Sequence, residues 1–314
     1  MNKKREQFVR ILFSLLFFFF LVLSSHAGRQ QKKPEVPYVP TPREVVLEML
    51  KKAAVGKDDV LYDLGCGDGR IVITAVKELG CRGVGIDIDP QRIKESRESA
   101  AQEGVSDRTK FIQMNLFEAD IREATVVTIY LLSEVNLRLR PKLLQELRPG
   151  TRVVSHDFDM GAWKADDSTV IDGDSREYTP IHDTFWIHNY WNRHNIFLWI
   201  IPANVTGVWK WSMPEAFGKK RITMEIDQAF QEFEGKAVDD SSSDVYYVRK
   251  GKIRGNRLEF MLETEPLENS KPLHFEGIVR YNTLEGFVQV GEKPGIKGKW
   301  KAKRDAATIK SIAK

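Results

Sequence analysis

The stretch VLYDLGCGDGR, residues 60–70, decides the fold of this chain. Its first five residues are apolar apart from Asp63 and are typical of a buried strand, and the glycines that follow predict a tight turn. Apolar residues then recur with the spacing of one helix face, at Ile71, Ile73, Val76 and Leu79. We therefore expect a strand, a glycine turn and a helix, which is the first unit of an α/β domain.

Further strands and helices alternate along the chain after this unit. Strand patterns occupy 83–87, 110–114, 124–132, 151–155 and 196–201, and a helical pattern runs over about 134–147. Such alternation implies right-handed crossovers and a mainly parallel sheet. Residues 41–202 are accordingly predicted to form a Rossmann-like α/β domain.

Two proline pairs predict helix starts. Thr41-Pro42 and Asp89-Pro90 each place an N-cap side chain before a proline at the first helical position. Asp89 is therefore interpreted as a cap rather than as a ligand-binding residue.

The glycine turn is a poor match to a dinucleotide site. A G-x-G-x-x-G pattern that starts at Gly65 would need glycine where Arg70 stands, and one that starts at Gly67 would need it where Val72 stands. Asp63 and Asp68 flank the turn, and two like charges 4 Å apart repel by about 4 kcal/mol at a surface-like dielectric constant. The acids disfavour a pyrophosphate and favour a nucleoside with a sulfonium and an ammonium group.

Two later residues fit the rest of such a nucleoside. Asp87 ends the second strand, at the position where an acid accepts hydrogen bonds from ribose hydroxyls. Asn115 follows the third strand and offers an amide to an adenine edge, or is a polar turn residue.

These residues resemble a known cofactor signature. The run 63–69 together with Asp87 resembles that of class I S-adenosylmethionine-dependent methyltransferases. The longer stretches PYVPTP (37–42) and YDLGCGDGRIVI (62–73) are similar to small protein-lysine methyltransferases of the type that modifies the ATP synthase c-ring protein. The resemblance covers about residues 36–160.

The resemblance implies S-adenosyl-L-methionine as the cofactor. It implies that Asp63 and the glycines hold the methionine part, Asp87 the ribose and the segment around Asn115 the adenine, while Thr41 closes over the cofactor. The implied cofactor-binding residues are Thr41, Asp63, Gly65, Cys66, Gly67, Asp68, Gly69, Asp87, Ile88, Asn115 and Leu116.

The methyl acceptor is expected beyond the fourth strand, at residues 130–136. The N-P-P-Y signature of amide and exocyclic-amine methylases is absent there, which disfavours nucleobase amino groups. The candidate catalytic residues are Tyr130, Glu134 and His156. Glu134 is alternatively an acid in the first turn of a helix, and His156 with Asp157 is alternatively a surface turn. The expected acceptor is a protein (lysine-type) or a small molecule, and no nucleic acid is expected.

An aromatic stretch at 182–194 is interpreted as a ribbon that packs against the sheet, or as a wall around a substrate. Its histidines recur at His182, His188 and His194, which is not a zinc-binding spacing. No metal site is therefore predicted.

The pattern changes after Pro202 to short alternating runs. About eight such strands between 207 and 304 predict a small antiparallel β-barrel over 206–305, followed by a tail at 306–314. Gly207-Val208-Trp209 and the basic end of the last strand, 300–304, resemble calycin-like barrels. The barrel holds a small apolar ligand or is filled by its own side chains.

The first 27 residues are predicted to be a signal peptide or an N-terminal anchor, and 28–40 a linker outside the core. Basic residues precede the uncharged run at 11–23, and small residues at Ser25 and Ala27 fit a cleavage site. We therefore expect a periplasmic or secreted protein, or one anchored in the inner membrane with membrane contact through this segment. That location conflicts with the cytoplasmic supply of S-adenosyl-L-methionine, so an exported, non-catalytic nucleoside-binding protein is the alternative function.

Composition excludes several classes of protein. The chain has 314 residues, 42% of them hydrophobic, and a formal net charge of +4, which suits a globular protein and gives no global attraction for nucleic acid. Cys66 and Cys81 are too few for a disulfide framework.

Overall fold

A seven-stranded sheet forms the first part of the fold, in a computed structural model that describes residues 35–172, 193–218, 220–264, 272–291 and 296–312. Its strands are β1 (Val60–Leu64), β2 (Arg82–Asp87), β3 (Thr109–Gln113), β4 (Val126–Ile129), β5 (Arg152–His156), β6 (Asp167–Asp172) and β7 (Arg193–Ile200). Their order is β3-β2-β1-β4-β5-β7-β6, with β1 to β5 parallel and β7 antiparallel to both of its neighbours. The mainly parallel α/β fold predicted from the sequence is confirmed.

Four helices connect and cover these strands in the described part of the chain. They are α1 (Arg43–Lys52), α2 (Arg70–Leu79), α3 (Pro90–Gln102) and α4 (Ser133–Glu146). Helix α2 buries Ile71, Val72 and Val76 against the sheet and ends at Gly80, whose left-handed backbone suits glycine. Because β1, β2, β4 and β5 are parallel, their carboxyl ends meet at one edge, where a ligand site is expected.

The two predicted helix caps have different outcomes. The Asp89 side chain accepts a hydrogen bond from the Gln91 backbone N–H (2.8 Å) and caps α3, as predicted. The prediction for Thr41 is wrong, because α1 has Pro42 at its N-cap position and no side-chain cap. The Thr41 hydroxyl instead faces His156 Nδ1 at 3.4 Å.

Strand β6 was not expected from the sequence. It lies at the sheet edge, where its side chains are exposed or half-buried, so it lacks the apolar alternation that marks a strand. Most of the aromatic stretch, with His182 and His188, lies outside the described residues, whereas His194 lies in β7.

An eight-stranded antiparallel barrel follows the sheet and is closed, as predicted. Its strands are β8 (Gly207–Ser212), β9 (Arg221–Ala229), β10 (Glu232–Asp239), β11 (Val245–Arg254), β12 (Arg257–Thr264), β13 (Leu273–Arg280), β14 (Thr283–Val290) and β15 (Lys297–Arg304). Along β9, buried Ile222, Met224 and Ile226 alternate with more exposed residues, which is the pattern of a strand with one face inside.

The interior of the barrel is packed with its own aromatic side chains. Phe275 stacks on Phe260 at 4.7 Å between ring centroids and meets Trp300 edge-on at 4.9 Å. At the closing end, the Arg304 guanidinium lies 5.0 Å from the centroid of Trp209 and donates to the Asn204 carbonyl. Of the two alternatives for the barrel, self-filling is therefore the one that the structure shows.

The turn between β9 and β10 fixes the barrel to the α/β part. The Phe230 ring stacks on Trp163 at 5.9 Å between centroids, and Gln231 Nε2 donates to the Lys164 carbonyl (2.8 Å) and to Asp166 (3.0 Å). Aromatic stacking and paired polar contacts give this junction a defined geometry.

We expect the substitution Gly286→Ala to lower the stability of the barrel. A Cβ at this position would lie 1.8 Å from the Glu276 carbonyl oxygen, so β13 and β14 would have to separate. We expect a loss of about 3 kcal/mol of unfolding free energy, the upper range for overpacking. Urea denaturation measures it, with Gly56→Ala as the control because nothing lies within 4 Å of a Cβ there. Equal stability of the two variants would contradict the prediction.

The predicted signal segment, 1–27, lies outside the described residues. In the described ranges, each helix is too short or too polar to span a bilayer.

Candidate functional site

The glycine turn after β1 forms a narrow loop that only glycine fits. Gly65, Gly67 and Gly69 have φ values of +90°, +52° and +80°, which are in the left-handed region. The backbone N–H groups of Gly65 and Cys66 both donate to the Ile86 carbonyl (2.8 and 3.0 Å), which ties the loop to β2. Added side chains would therefore strain the loop and collide with Leu131, Tyr38 and Phe111, which pack against the three glycines.

Tyr38 lies directly over this loop. A Cβ on Gly67 would come within 2.6 Å of the Tyr38 ring, and the Arg92 guanidinium lies 4.4 Å from the ring centroid. Burial and the neighbouring Asp68 carboxylate raise the pKa of Tyr38 to about 12. The expectation that residues 28–40 lie outside the core is therefore wrong for Tyr38. Packing of its aromatic ring against the loop removes apolar surface from water, which favours this position.

Asp68 is held by Arg70 and not left open. The Arg70 guanidinium donates to both Asp68 carboxylate oxygens (3.0 and 2.7 Å) and to the Thr41 carbonyl (3.0 Å). Burial opposes ionisation, but the hydrogen bonds and charge of Arg70 outweigh it and lower the pKa of Asp68. Asp68 thus shapes the loop and connects it to Thr41, while its negative charge is balanced.

Asp63 is a buried carboxylate at the end of β1. Only 2% of the residue is exposed, and one oxygen accepts a hydrogen bond from Thr128 Oγ1 (2.8 Å). Burial, together with the charges of Asp87 and Asp68, raises the pKa of Asp63 to about 7. A bound cation nearby would stabilise the ionised form, so this residue fits a positively charged ligand.

Asp87 ends β2 on the other side of the loop. Its two oxygens accept hydrogen bonds from the backbone N–H groups of Gly67 and Asp89, both at 2.9 Å. Burial raises the pKa of Asp87. The adjacent Ile88 is half-buried and its carbonyl accepts from Gln113 at 3.4 Å. Each Asp87 oxygen keeps a lone pair, which suits two ribose hydroxyls.

Asn115 is placed in a turn after β3. Its Oδ1 accepts from the Phe117 backbone N–H (3.1 Å), and its Nδ2 donates to Glu118 (3.2 Å). This geometry matches the turn interpretation, and the binding of adenine by Asn115 stays a prediction. Leu116 beside it is half-buried and packs on the apolar core under β1 and β4.

The residues of this cleft fit S-adenosyl-L-methionine. The left-handed glycine loop brings the chain close to Tyr38 and Leu131, and Asp63 supplies a buried carboxylate without a basic side chain as a hydrogen-bond partner among the described residues. Asp87 supplies acceptors for hydroxyl groups. The cleft thus has a carboxylate, Asp63, that can bind a cationic group and a second carboxylate, Asp87, that can accept hydrogen bonds from a sugar.

Comparisons with known proteins agree with this chemistry. Residues 63–167 match the family described as the ANTKMT methyltransferase domain. The chain is 48% identical over 147 residues to a protein-lysine N-methyltransferase of Saccharolobus islandicus (strain REY15A), which covers 46% of this chain and 91% of that protein. Because the match covers nearly all of that relative, the chain belongs to the same methyltransferase family.

Two further similarities are to another lysine methyltransferase and to a methyltransferase of known structure. The methyltransferase is 32% identical over 148 residues to the adenine nucleotide translocase lysine N-methyltransferase of Mus musculus, which covers 46% of this chain and 62% of the mouse protein. A crystal structure of an RNA methyltransferase from Salinibacter ruber with S-adenosyl-L-homocysteine is 47% identical, covers 56% of this chain and 97% of that chain, and has a TM-score of 0.45. As a family member, this chain is an S-adenosyl-L-methionine-dependent methyltransferase.

The candidate acceptor side of the methyltransferase lies at the ends of β4 and β5. Tyr130 follows β4, is half-buried and packs on the His156 ring at 3.9 Å between centroids. Glu134 is exposed in the first turn of α4. The structure brings Tyr130 and His156 together, and the catalytic roles of all three candidates stay predictions.

His156 is not on a surface turn but completely buried. Its Nδ1 faces Thr41 Oγ1 at 3.4 Å, and its Nε2 lies 2.9 Å from His194 Nδ1 and 3.2 Å from Asp157 Oδ2. Burial lowers the pKa of His156, against the opposing effect of Asp157. Both ring nitrogens thus lie against protein atoms, and His156 supports Tyr130 from within the domain.

Sequence reasoning gave no role in this site to Tyr38, Arg70, Thr128 and His194, and it named Asp157 only together with His156. Arg70 is a mismatch to a dinucleotide glycine pattern, and its spacing of two residues from Asp68 is the signal in the sequence for their ion pair. His194 is 38 residues from His156 in sequence. Only the pairing of β5 with β7 brings the two histidines together.

Proposed function

We propose that this methyltransferase methylates the ε-amino group of a lysine in a protein. The observation that supports the proposal best is the 48% identity along 91% of a relative named as a protein-lysine N-methyltransferase. The acceptor side agrees with it, because an aromatic ring at Tyr130 and an exposed acid at Glu134 both attract an ammonium group.

The reaction requires a neutral amine. The cofactor, when bound, supplies an electrophilic methyl group on its sulfonium. A lysine ε-amino group is protonated in water with a pKa of about 10.4, and desolvation lowers that value. In our proposal the Tyr130 ring desolvates the amine and Glu134 accepts the proton that leaves it. The remaining task of the protein is to align the amine with the methyl group.

Mass spectrometry tests the acceptor. Purified methyltransferase is incubated with methyl-labelled S-adenosyl-L-methionine and a host lysate separated by compartment, and labelled peptides are sequenced. We expect the label on lysine side chains. A label found on small molecules or on nucleic acid, with unlabelled lysines, would contradict the proposal.

We expect Tyr130→Ala to lower kcat by about tenfold or more while the affinity for the cofactor changes less than about twofold, since aligning groups contribute mainly to the chemical step. Tyr130→Phe should keep most of kcat if the ring is what matters. Tyr281→Ala is the control, because that tyrosine is 93% exposed on the barrel. Steady-state kinetics with the labelled lysine substrate measures the effect. An unchanged kcat in Tyr130→Ala would exclude Tyr130 from the acceptor side.

We also propose that the first 27 residues direct the chain to or across a membrane. The basic start, the uncharged run at 11–23 and the small residues before Gly28 support this proposal. N-terminal sequencing of protein from fractionated host cells tests it. A chain that begins at Gly28 in the exported fraction, or at Met1 in the membrane fraction, supports it, and an intact chain in the cytosol contradicts it.

A further inference from the structure

Three potential metal ligands converge at the ends of β5 and β7. The separations are 2.9 Å from His156 Nε2 to His194 Nδ1, 3.2 Å from His156 Nε2 to Asp157 Oδ2 and 3.5 Å from His194 Nδ1 to Asp157 Oδ2. A tetrahedral ion about 2.0–2.1 Å from each ligand keeps those ligands about 3.3 Å apart. The three atoms therefore have the spacing of three corners of a metal site.

The cluster stands on rigid parts of the fold. His156 ends β5 and His194 belongs to β7, and the two strands pair in antiparallel register next to these residues. Asp157 has a left-handed backbone with φ of +61°, and the Asn195 backbone N–H donates to its Oδ1 at 2.8 Å. This contact turns Oδ2 towards the two histidines, as an outer hydrogen bond orients a metal-ligating carboxylate.

Protons alone satisfy the cluster poorly. A carboxylate brings lone pairs and no hydrogen, and the short contact between the two imidazole nitrogens requires that one of them be bare. If His194 Nδ1 donates to His156 Nε2, that bare nitrogen faces the carboxylate at 3.2 Å. If His156 Nε2 donates, His194 Nδ1 is the bare atom beside the same oxygen. One cation between the three atoms would satisfy all of them together.

The surroundings are suited to an ion with an open coordination position. His156 and His194 are buried, whereas the Asp157 side chain is 24% exposed, which leaves one side accessible. Tyr130 covers His156, and Thr41 connects it to the cofactor loop through Arg70.

We propose that His156, Asp157 and His194 form a binding site for one divalent transition-metal ion such as Zn²⁺, beside the acceptor end of the cofactor cleft. Two imidazoles and one carboxylate are the donor set for such ions rather than for Mg²⁺ or Ca²⁺. Three protein ligands leave a fourth position for water or another group. The proposal goes beyond the methylation reaction and does not depend on which acceptor is used.

Titration of the chelator-treated full chain with Zn²⁺, in competition with a chromophoric chelator, tests the site. We expect one Zn²⁺ per chain, a rise in the melting temperature on adding Zn²⁺, and visible absorption bands of a low-symmetry site when Co²⁺ is used. Asp157→Asn keeps the shape of the side chain and His194→Gln keeps a polar group. We expect each to weaken Zn²⁺ binding by more than about a hundredfold, since even outer-shell changes cost 10- to 100-fold.

The control variant is His274→Ala in the barrel. The Nε2 of His274, like that of His194, is buried without a hydrogen-bond partner among the described residues, but His274 lies on β13, outside the cluster. We expect it to bind Zn²⁺ like the wild type. Circular dichroism of each variant confirms that it is folded. The proposal is overturned if the wild type binds no Zn²⁺ at 100-fold excess, or if the folded Asp157→Asn and His194→Gln variants bind it as tightly as the wild type; the cluster is then a hydrogen-bonded pair of histidines.

Discussion

Asp87→Ala should lower the affinity for S-adenosyl-L-methionine by at least about a hundredfold, because each hydrogen bond to a charged group contributes about 1.5–3 kcal/mol. The carboxylate offers two oxygens at the end of β2, and each would accept from one ribose hydroxyl. The change also removes the acceptor of the Gly67 backbone N–H (2.9 Å), so the glycine loop loses one of its supports. Isothermal titration calorimetry with the purified chain measures the affinity.

The control for this change stands two residues away. Asp89 carries the same charge but caps α3 through the Gln91 backbone N–H. We therefore expect Asp89→Ala to leave the cofactor affinity within about threefold of wild type and to lower the unfolding free energy by about 1 kcal/mol, the usual cost of losing a cap. Similar cofactor affinities for the two variants would show that Asp87 does not hold the ribose.

The cofactor signature could be predicted because its chemistry lies in consecutive residues. Asp63 and the glycines share one turn, and Asp87 ends the strand that follows α2, so sequence spacing alone places them together. The barrel was predictable for a similar reason. Strands such as β9 and β10 alternate buried with more exposed residues over eight or nine positions, and that alternation is visible in the sequence.

The parts that were not predicted depend on contacts between distant segments. Tyr38 reaches Gly67 because the chain before α1 folds back over the loop. His156 and His194, which are 38 residues apart in sequence, meet because β5 pairs with β7. Thr41 has the local pattern of a cap, yet its hydroxyl faces His156, because a tertiary contact overrode the local preference. A single sequence contains no signal for such pairings.

The affinity for S-adenosyl-L-methionine should depend strongly on pH through Asp63. Burial raises the pKa of this carboxyl from 3.8 to about 7 in the chain without ligand. A sulfonium and an ammonium group favour the ionised form, so binding below pH 7 must displace a proton. We expect the dissociation constant to rise about tenfold for each pH unit below 7, which is the limit for one linked proton.

The same shift sets the sign of the effect on stability. Between pH 3.8 and about 7 the folded chain keeps a proton on Asp63 that the unfolded chain has lost. Because protonation of Asp63 favours the folded state in this window, its contribution to the free energy of unfolding falls as the pH rises from 3.8 to about 7. Cofactor affinity and stability of the unliganded chain should therefore change in opposite directions with pH.

Calorimetry in two buffers with different ionisation enthalpies measures the proton that is released, and we expect close to one proton per cofactor at pH 6. The cofactor itself contributes little, because an α-carboxyl and an α-amino group titrate near 3.5 and about 8.

Asp63→Asn should bind weakly at pH 7.5 and lose most of the pH dependence, and any slope that remains belongs to Asp87, whose pKa burial also raises. Asp89→Asn is the matched control and should keep the wild-type slope, since that carboxylate caps α3. A dissociation constant that stays constant from pH 5 to 7 in the wild type would mean that Asp63 is already ionised without a ligand, and that its burial is balanced by the protein rather than by a cationic cofactor.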